Sequence, residues 1–425
     1  MTEYKWMRTD TASIMFSCLS NKKWGRTFRM AAVFKDHTVD EEVLRKAAAD
    51  IMPRYPSMHT RIRKGFFWNY QEFTDALPEI REENNRVLPP IAMRKDNRPD
   101  FRIVYYKRRI AVECAHFLGD GKGASEYFNA LITRYSELCD NPDSEYILTE
   151  PTEAELSNAF AEYYIEGGEK PVEDGIEAYH IESEMEKGFM QFVFAMMKVD
   201  TLHAKAKEKG MTITEYLAAT LILGTMHHAA KPVDKPIVIA IPVNLRRFFP
   251  TESVRNFTIQ SKVVFDTEGR TDWTFDEVCS KIAGQIKKNT APEELQKQLN
   301  KFGGLVNNPV LKVVPNFIKQ PVLRISQKKT HSGFTTILTN TGNTEVSQEL
   351  ADKLERVDGI NGDTSGYGLV STCSAVSCNG LFSLCFSVCG HDTSWPKECV
   401  RVLSSQGLEI RVESTHGNGG NKNEM

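Results

Sequence analysis

Residues 101–116, FRIVYYKRRIAVECAH, constrain the fold of this chain more than any other stretch. Two β-rich runs flank the basic turn Lys107-Arg108-Arg109, the pattern of a hairpin. AHFLGDGKG then breaks the second strand, and ASEYFNALITRYSEL continues as an amphipathic helix. A strand, a polar loop and a helix therefore stand in immediate succession, and the fold class expected is α/β, with mixed sheets flanked by helices.

The rest of the chain supports a two-part reading. At 425 residues it suits two domains or one pseudo-dimeric unit. Residues 11–20 are apolar and small, and 25–34 alternate as a strand. VDEEVLRKAAADIMPRYP predicts a helix with Val43, Leu44, Ala47 and Ile51 on one stripe, ended by Pro53. Residues 58–63 and 66–72 read as short strands. The acidic, Gly/Pro-rich segment 166–180 reads as a linker. Beyond it the order repeats in outline. MQFVFAMMKV is a strand, TLHAKAKEKG and TITEYLAATLILGTMHHAAK are helices, and the unbroken apolar run PIVIAIPVNL is a buried strand. FDEVCSKIAGQIKKN and the region 305–326 read as helical, and GFTTILTNTGN, ERVDGI, YGLVSTCSAV and GLFSLCFSVC as strands. The expected division is 1–165, linker 166–180, 181–413, and a disordered tail 414–425.

Composition excludes several functions. Lys and Arg (53) nearly balance Asp and Glu (56), and a polyanion partner would call for a basic excess, so nucleic acid is disfavoured. There is no membrane span, because no apolar run reaches 18 residues. The N-terminus MTEYKWMRTD lacks an apolar signal core, and nine scattered Cys fit reduced thiols; a cytoplasmic location is expected.

The chemistry concentrates at Cys114-Ala115-His116-Phe117-Leu118-Gly119-Asp120-Gly121. Here a His leaves a strand end and an Asp-Gly turn follows. Imidazole titrates near neutrality, so a positioned His can take a proton from a hydroxyl or an amine. A sharp turn would let a main-chain carbonyl reach the ring, and Gly121 would permit geometry that a Cβ obstructs. The same residues also describe an ordinary loop His before a helix capped by Asp120.

The segment resembles the HxxxDG signature of the acyl-CoA-dependent acyltransferases. That superfamily includes chloramphenicol acetyltransferase, the plant BAHD enzymes, the condensation domains of nonribosomal peptide synthetases and bacterial alcohol acetyltransferase-like proteins. His116 matches the catalytic His, with Asp120 and Gly121 as the motif Asp and Gly. Where condensation domains carry a further His, this chain has Ala115. A second segment, IPVNLRRFFPTESVRNF (241–257), is similar to a second-half strand and loop of the superfamily, and Arg246 matches the Arg that pairs with the motif Asp. Two departures stand out. In Arg54-Tyr55-Pro56-Ser57-Met58-His59-Thr60, which resembles RHExLRT, His59 replaces the second Arg, and the BAHD motif DFGWG is absent. The chain thus sits nearer the stand-alone alcohol acetyltransferase-like group.

The resemblance implies two chloramphenicol-acetyltransferase-like halves with an active-site tunnel between them. It also implies direct acyl transfer from acyl-CoA, as co-substrate with no bound cofactor, to a small alcohol or amine. His116 would be the general base and Arg246 the structural partner of Asp120. Thr339, Asn340 and Thr341, at the turn of a second-half strand, are the candidate oxyanion donors. A condensation-type enzyme fed by an acyl carrier protein is one alternative. A degenerate, non-catalytic binding protein is another. Cys114 and Ser125 are the nucleophile-capable side chains nearest His116 in sequence, but no nucleophile motif such as GxSxG surrounds them.

Other features carry less. Gly119-Asp120-Gly121-Lys122-Gly123 is no P-loop, because Gly follows the Lys. Adjacent His227 and His228 on a helix cannot share one face. Cys373, Cys378, Cys385 and Cys389 contain no CxxC pair and fit small core positions, so no metal is expected. Lys107-Arg108-Arg109 could meet CoA phosphates, although such a run is ordinarily a solvated turn.

Overall fold

The computed structural model describes residues 5–19, 26–84, 88–91, 96–172 and 175–415, so part of the linker and most of the tail fall outside. The hairpin is present as Phe101–Tyr106 and Arg109–Ala115, antiparallel in register from Phe101↔Cys114 to Tyr106↔Arg109. Lys107 takes a left-handed φ of 48° at its turn. The basic turn is held by side chains and main chain in and beside neighbouring strands. Arg108 donates to the Phe34 carbonyl and pairs with Glu355, and Arg109 pairs with Glu83.

Two mixed sheets organise the molecule. The first has five strands, in the order 354–361, 27–34, 109–115, 101–106, 79–82. The second has seven, in the order 258–265, 237–244, 336–343, 371–378, 381–388, 191–198, 411–414. Each mixes parallel and antiparallel neighbours. One strand crosses over: Leu354–Asn361 pairs with Thr27–Phe34, so a late segment closes the edge of the early sheet. It lies close to the second sheet as well. A Cβ on Gly359 would come within 2.6 Å of Ser374 Oγ, and Ser383 donates to Asp358. Gly359 thus lets the two sheets approach.

Each sheet buries a helix. Gly121–Asp140 lays Ala124, Tyr127, Phe128, Leu131, Ile132 and Tyr135 on the first core at helical spacing. Ile213–Ala229 is buried almost throughout, from Glu215 to Met226, and begins with a Thr212/Glu215 capping box. Glu41–Ile51 is capped by Asp40 and passes into a 3-10 turn containing Pro53, close to expectation.

Three readings need correction. FDEVCSKIAGQIKKN is two helices, Phe275–Ile282 and Gln285–Asn289, because Gly284 adopts a φ of 74° between them. The helical region around 305–326 is three segments, Pro292–Asn307, Pro309–Val313 and Asn316–His331, separated at Asn308-Pro309 and Val314-Pro315. Residues 11–20, read only as apolar and small, contain the helix Thr11–Leu19.

Candidate active site

His116 stands one residue past the strand Arg109–Ala115, and its main-chain N–H donates to the Arg26 carbonyl at 2.7 Å. The imidazole packs against Phe16 and Phe28, with ring centroids 4.3 and 5.1 Å away. Its Nδ1 is buried and makes no hydrogen bond. Burial pushes the ring pKa down to about 4, and the nearby Arg26 guanidinium adds to this. The residue's own carbonyl, the Asp120 carboxylate and the Asn256 side chain oppose the shift. The ring is therefore neutral at pH 7 and free to accept a proton.

His116 lines a cavity of about 210 Å³. Phe16, Arg26 and Phe28 contribute to its wall from the first half, and Asn256, Thr258 and Thr339 from the second. The cavity thus lies where the two halves meet, as expected of the site.

Asp120 faces away from this space. It caps the helix Gly121–Asp140 by accepting from Gly123 N–H at 3.1 Å. Its other oxygen accepts from Arg246 Nη1 at 2.8 Å, Phe257 N–H at 2.8 Å and Thr258 Oγ1 at 3.0 Å. Burial works against the carboxylate, but Arg246 and the two main-chain donors outweigh it and hold the pKa below the ordinary Asp value. The Asp120–Arg246 pair matches the pairing implied by the motif. It is not the bidentate fork expected of such a pair, since Arg246 gives Asp120 one nitrogen. Nη1 also donates to Asn244 Oδ1, and Nε and Nη2 donate to the carbonyls of Ser253 and Arg255. Arg246 thereby shapes the loop 253–257, which carries Asn256 to the cavity. Asn256 Nδ2 donates to Ser13 Oγ at 3.1 Å, and Ser13 Oγ in turn donates to the Phe117 carbonyl at 2.7 Å. A chain of polar contacts therefore runs behind His116 across both halves.

Other expectations change. Gly121 has no left-handed φ, and a Cβ there would meet only Thr341 Cγ2 at 3.6 Å, an ordinary contact. The steric requirement falls on Gly123, where a Cβ would lie 2.0 Å from the Val254 carbonyl oxygen. Of the three oxyanion candidates, Thr339 alone lines the cavity. Asn340 Nδ2 donates to Thr214 and Thr341 Oγ1 to the Ala375 carbonyl, so both donors are already engaged. Cys114 is buried, and burial pushes its thiol far above the ordinary value. Ser125 Oγ donates within its own helix to the Gly121 carbonyl. Neither is an activated nucleophile.

Several cavity residues escaped the sequence reading, Asn256 among them. Arg26, His331 and Tyr367 form one cluster: Arg26 Nη2 lies 3.0 Å from His331 Nε2, Arg26 Nε donates to Tyr367 at 3.2 Å, and the His331 and Tyr367 rings stack at 4.5 Å. Nothing local marks these three, because they come from sites 305 and 341 residues apart in the chain. Thr258 could have been found. Its strand, TIQSKVVF, buries alternate residues, a period-2 signal.

The fold is similar to that of several solved structures. Polyketide synthase associated protein 5 from Mycobacterium tuberculosis is 14% identical with a TM-score of 0.62, covering 96% of this chain and 98% of that one. TRI101 from F. sporotrichioides, solved with coenzyme A and T-2, is 10% identical with a TM-score of 0.63, covering 96% and 99%. The chain has the two-lobed chloramphenicol-acetyltransferase-like fold. TRI3 trichothecene 15-O-acetyltransferase from Fusarium sporotrichioides shares it at 11% identity and a TM-score of 0.59, over 95% and 96%. No family model and no curated protein sequence matches the chain. Among the described residues no group of three or more His, Cys, Asp or Glu could hold a metal, and no helix is long and apolar enough to cross a membrane.

Proposed function

We propose that this protein is an acyltransferase that moves an acyl group from a coenzyme A thioester to a small alcohol or amine. The observation that carries this reading is a neutral, aromatic-flanked His116 opening into a cavity shared by both halves, beside an Asp120 turned away onto Arg246. In the proposed reaction His116 removes the acceptor proton as the acceptor attacks the thioester carbonyl. The resulting oxyanion is met by the Thr339 hydroxyl. Collapse breaks the C–S bond, and the imidazolium returns its proton to the thiolate, leaving an ester or amide and a free thiol. Arg246 and Asp120 position the loop that brings Asn256 to the imidazole, where it favours the protonated ring.

The fold is also used with coenzyme A in TRI101, which supports a free thioester donor. The test is a mass-spectrometric screen of acyl-CoA donors against pooled alcohols and amines. Product formation with acyl-CoA alone, absent in His116→Ala, is the expected result. Turnover only when the acyl group is loaded on a carrier protein would replace the donor. No acyl product from any donor would remove the assignment.

A further inference from the structure

The helix Asn316–His331 reverses the usual amphipathic order. Asn316, Lys319 and Leu323, at i, i+3 and i+7, form its buried side. Two of the three are polar. Asn316 Nδ2 donates to Asn69 at 2.8 Å, and Lys319 Nζ donates to the Leu311 carbonyl and sits 3.1 Å from the centre of the Trp68 ring. Ile318, Val322 and Ile325, at i, i+4 and i+7, form the outer side and are 49%, 61% and 72% exposed. Phe317 is exposed beside them, and Val310 and Val313 of the preceding helix continue the surface. Phe66, whose carbonyl accepts from Asn316 N–H at 2.7 Å, is exposed at the same place. A single exposed apolar side chain is unremarkable, but a contiguous set marks a surface that something covers.

Charge says what covers it. Residues 305–332 contain no Asp or Glu, in a chain of net charge -3, while Lys312 and Lys329 are exposed and Arg324 is half-buried. Lys64, beside the exposed Phe66, is also on the surface. A second copy of the chain would bring the same cations face to face across a two-fold interface, which like-charge repulsion opposes. An apolar helix face flanked by Lys and Arg has the chemistry of an interfacial helix on anionic lipid.

We propose that the helices Pro309–Val313 and Asn316–His331, with Phe66, dock on an anionic bilayer surface. The apolar side chains enter the acyl boundary and the cations meet headgroup phosphates. The same helix ends in Thr330 and His331, which line the His116 cavity, and its Leu323 packs on Met15, another lining residue. Docking therefore sets a wall of the cavity one helix away from the lipid.

Vesicle flotation of the full chain tests this without reference to catalysis. The chain is expected to float with vesicles of phosphatidylglycerol and phosphatidylcholine at low salt, and to release from them at high salt. Pure phosphatidylcholine vesicles are expected to leave it behind. Phe317→Ser with Ile325→Ser should weaken binding at least about tenfold, and Lys312→Glu with Lys329→Glu should do the same. These exposed positions leave the fold intact, which circular dichroism and thermal melting check. Val322→Ser is an independent second variant. Failure of the wild-type chain to bind anionic vesicles overturns the proposal, as does undiminished binding by the serine variants. A dimer in light scattering that the serine variants dissolve also overturns it, because the face then belongs to a second copy.

Discussion

Two histidines of the first half, His116 half-buried and His59 buried, invite comparison. His116 and His59 both sit among aromatic rings, Phe16 and Phe28 for the first, Phe101 and Tyr127 for the second. Burial depresses both, to about 4 and about 3. Each leaves ring nitrogen without a hydrogen bond. Yet His116 opens onto a cavity and His59, 3% exposed, is sealed in the core. A depressed pKa therefore does not identify a base. Each ring also has a neighbour that favours its protonated form, Asn256 for His116 and the Ala76 main chain for His59, so access to the cavity is what separates the proposed base from the core histidine.

Substitution separates the pair most sharply. His116→Ala should lower turnover by about 10²–10⁴ with little loss of stability, because the ring borders empty space. His59→Leu should leave turnover within about twofold of wild type, since an apolar residue of similar size replaces a buried polar ring whose nitrogens lack partners. Equal losses from both variants, measured by coenzyme A thiol release, would erase the distinction.

The support behind His116 gives the next effect. Asp120→Ala leaves the Arg246 guanidinium, 11% exposed, without its carboxylate and should destabilise the protein by about 3–5 kcal/mol in chemical denaturation. Activity should fall with it, because the loop that carries Asn256 loses its anchor. A fully stable Asp120→Ala protein would mean that the pair does not organise the site.

Acid should act on both histidines alike. Their folded pKa values lie below the free value of about 6.5, so the unfolded chain binds more protons below that pH. Stability is then complete above about pH 6.5 and declines as pH falls toward 4. His59→Leu should flatten part of that decline, and an unchanged slope would show that His59 is not buried neutral. The smallest effect is expected at the thiols. Alkylation of accessible cysteines should leave activity unchanged, because Cys114 is buried and its thiol is held protonated. Inactivation traced to an acyl or alkyl adduct on Cys114 would argue for covalent catalysis.

What could be read in advance follows the range of the interactions. The hairpin 101–115, the helix after it and the motif residues His116 and Asp120 are local patterns, and each sits where its spacing placed it. Arg246 was legible through resemblance and meets Asp120 from 126 residues away. Thr341 was misplaced because strand direction, invisible locally, turns its hydroxyl to Ala375 rather than to the cavity. The Gly requirement was assigned to Gly121 instead of Gly123, because it arises from the distant Val254 carbonyl and not from turn dihedrals. The crossing of Leu354–Asn361 into the first sheet has no local signature at all.

The pH dependence of kcat/KM for acyl transfer in the free enzyme tests the central claim most directly, because it reports the ionisation of the base itself. If His116 is that base, kcat/KM stays level from pH 8 down to about 5 and then falls with an apparent pKa near 4. A break near the ordinary His value of about 6.5, or a profile unchanged in His116→Ala, would contradict it.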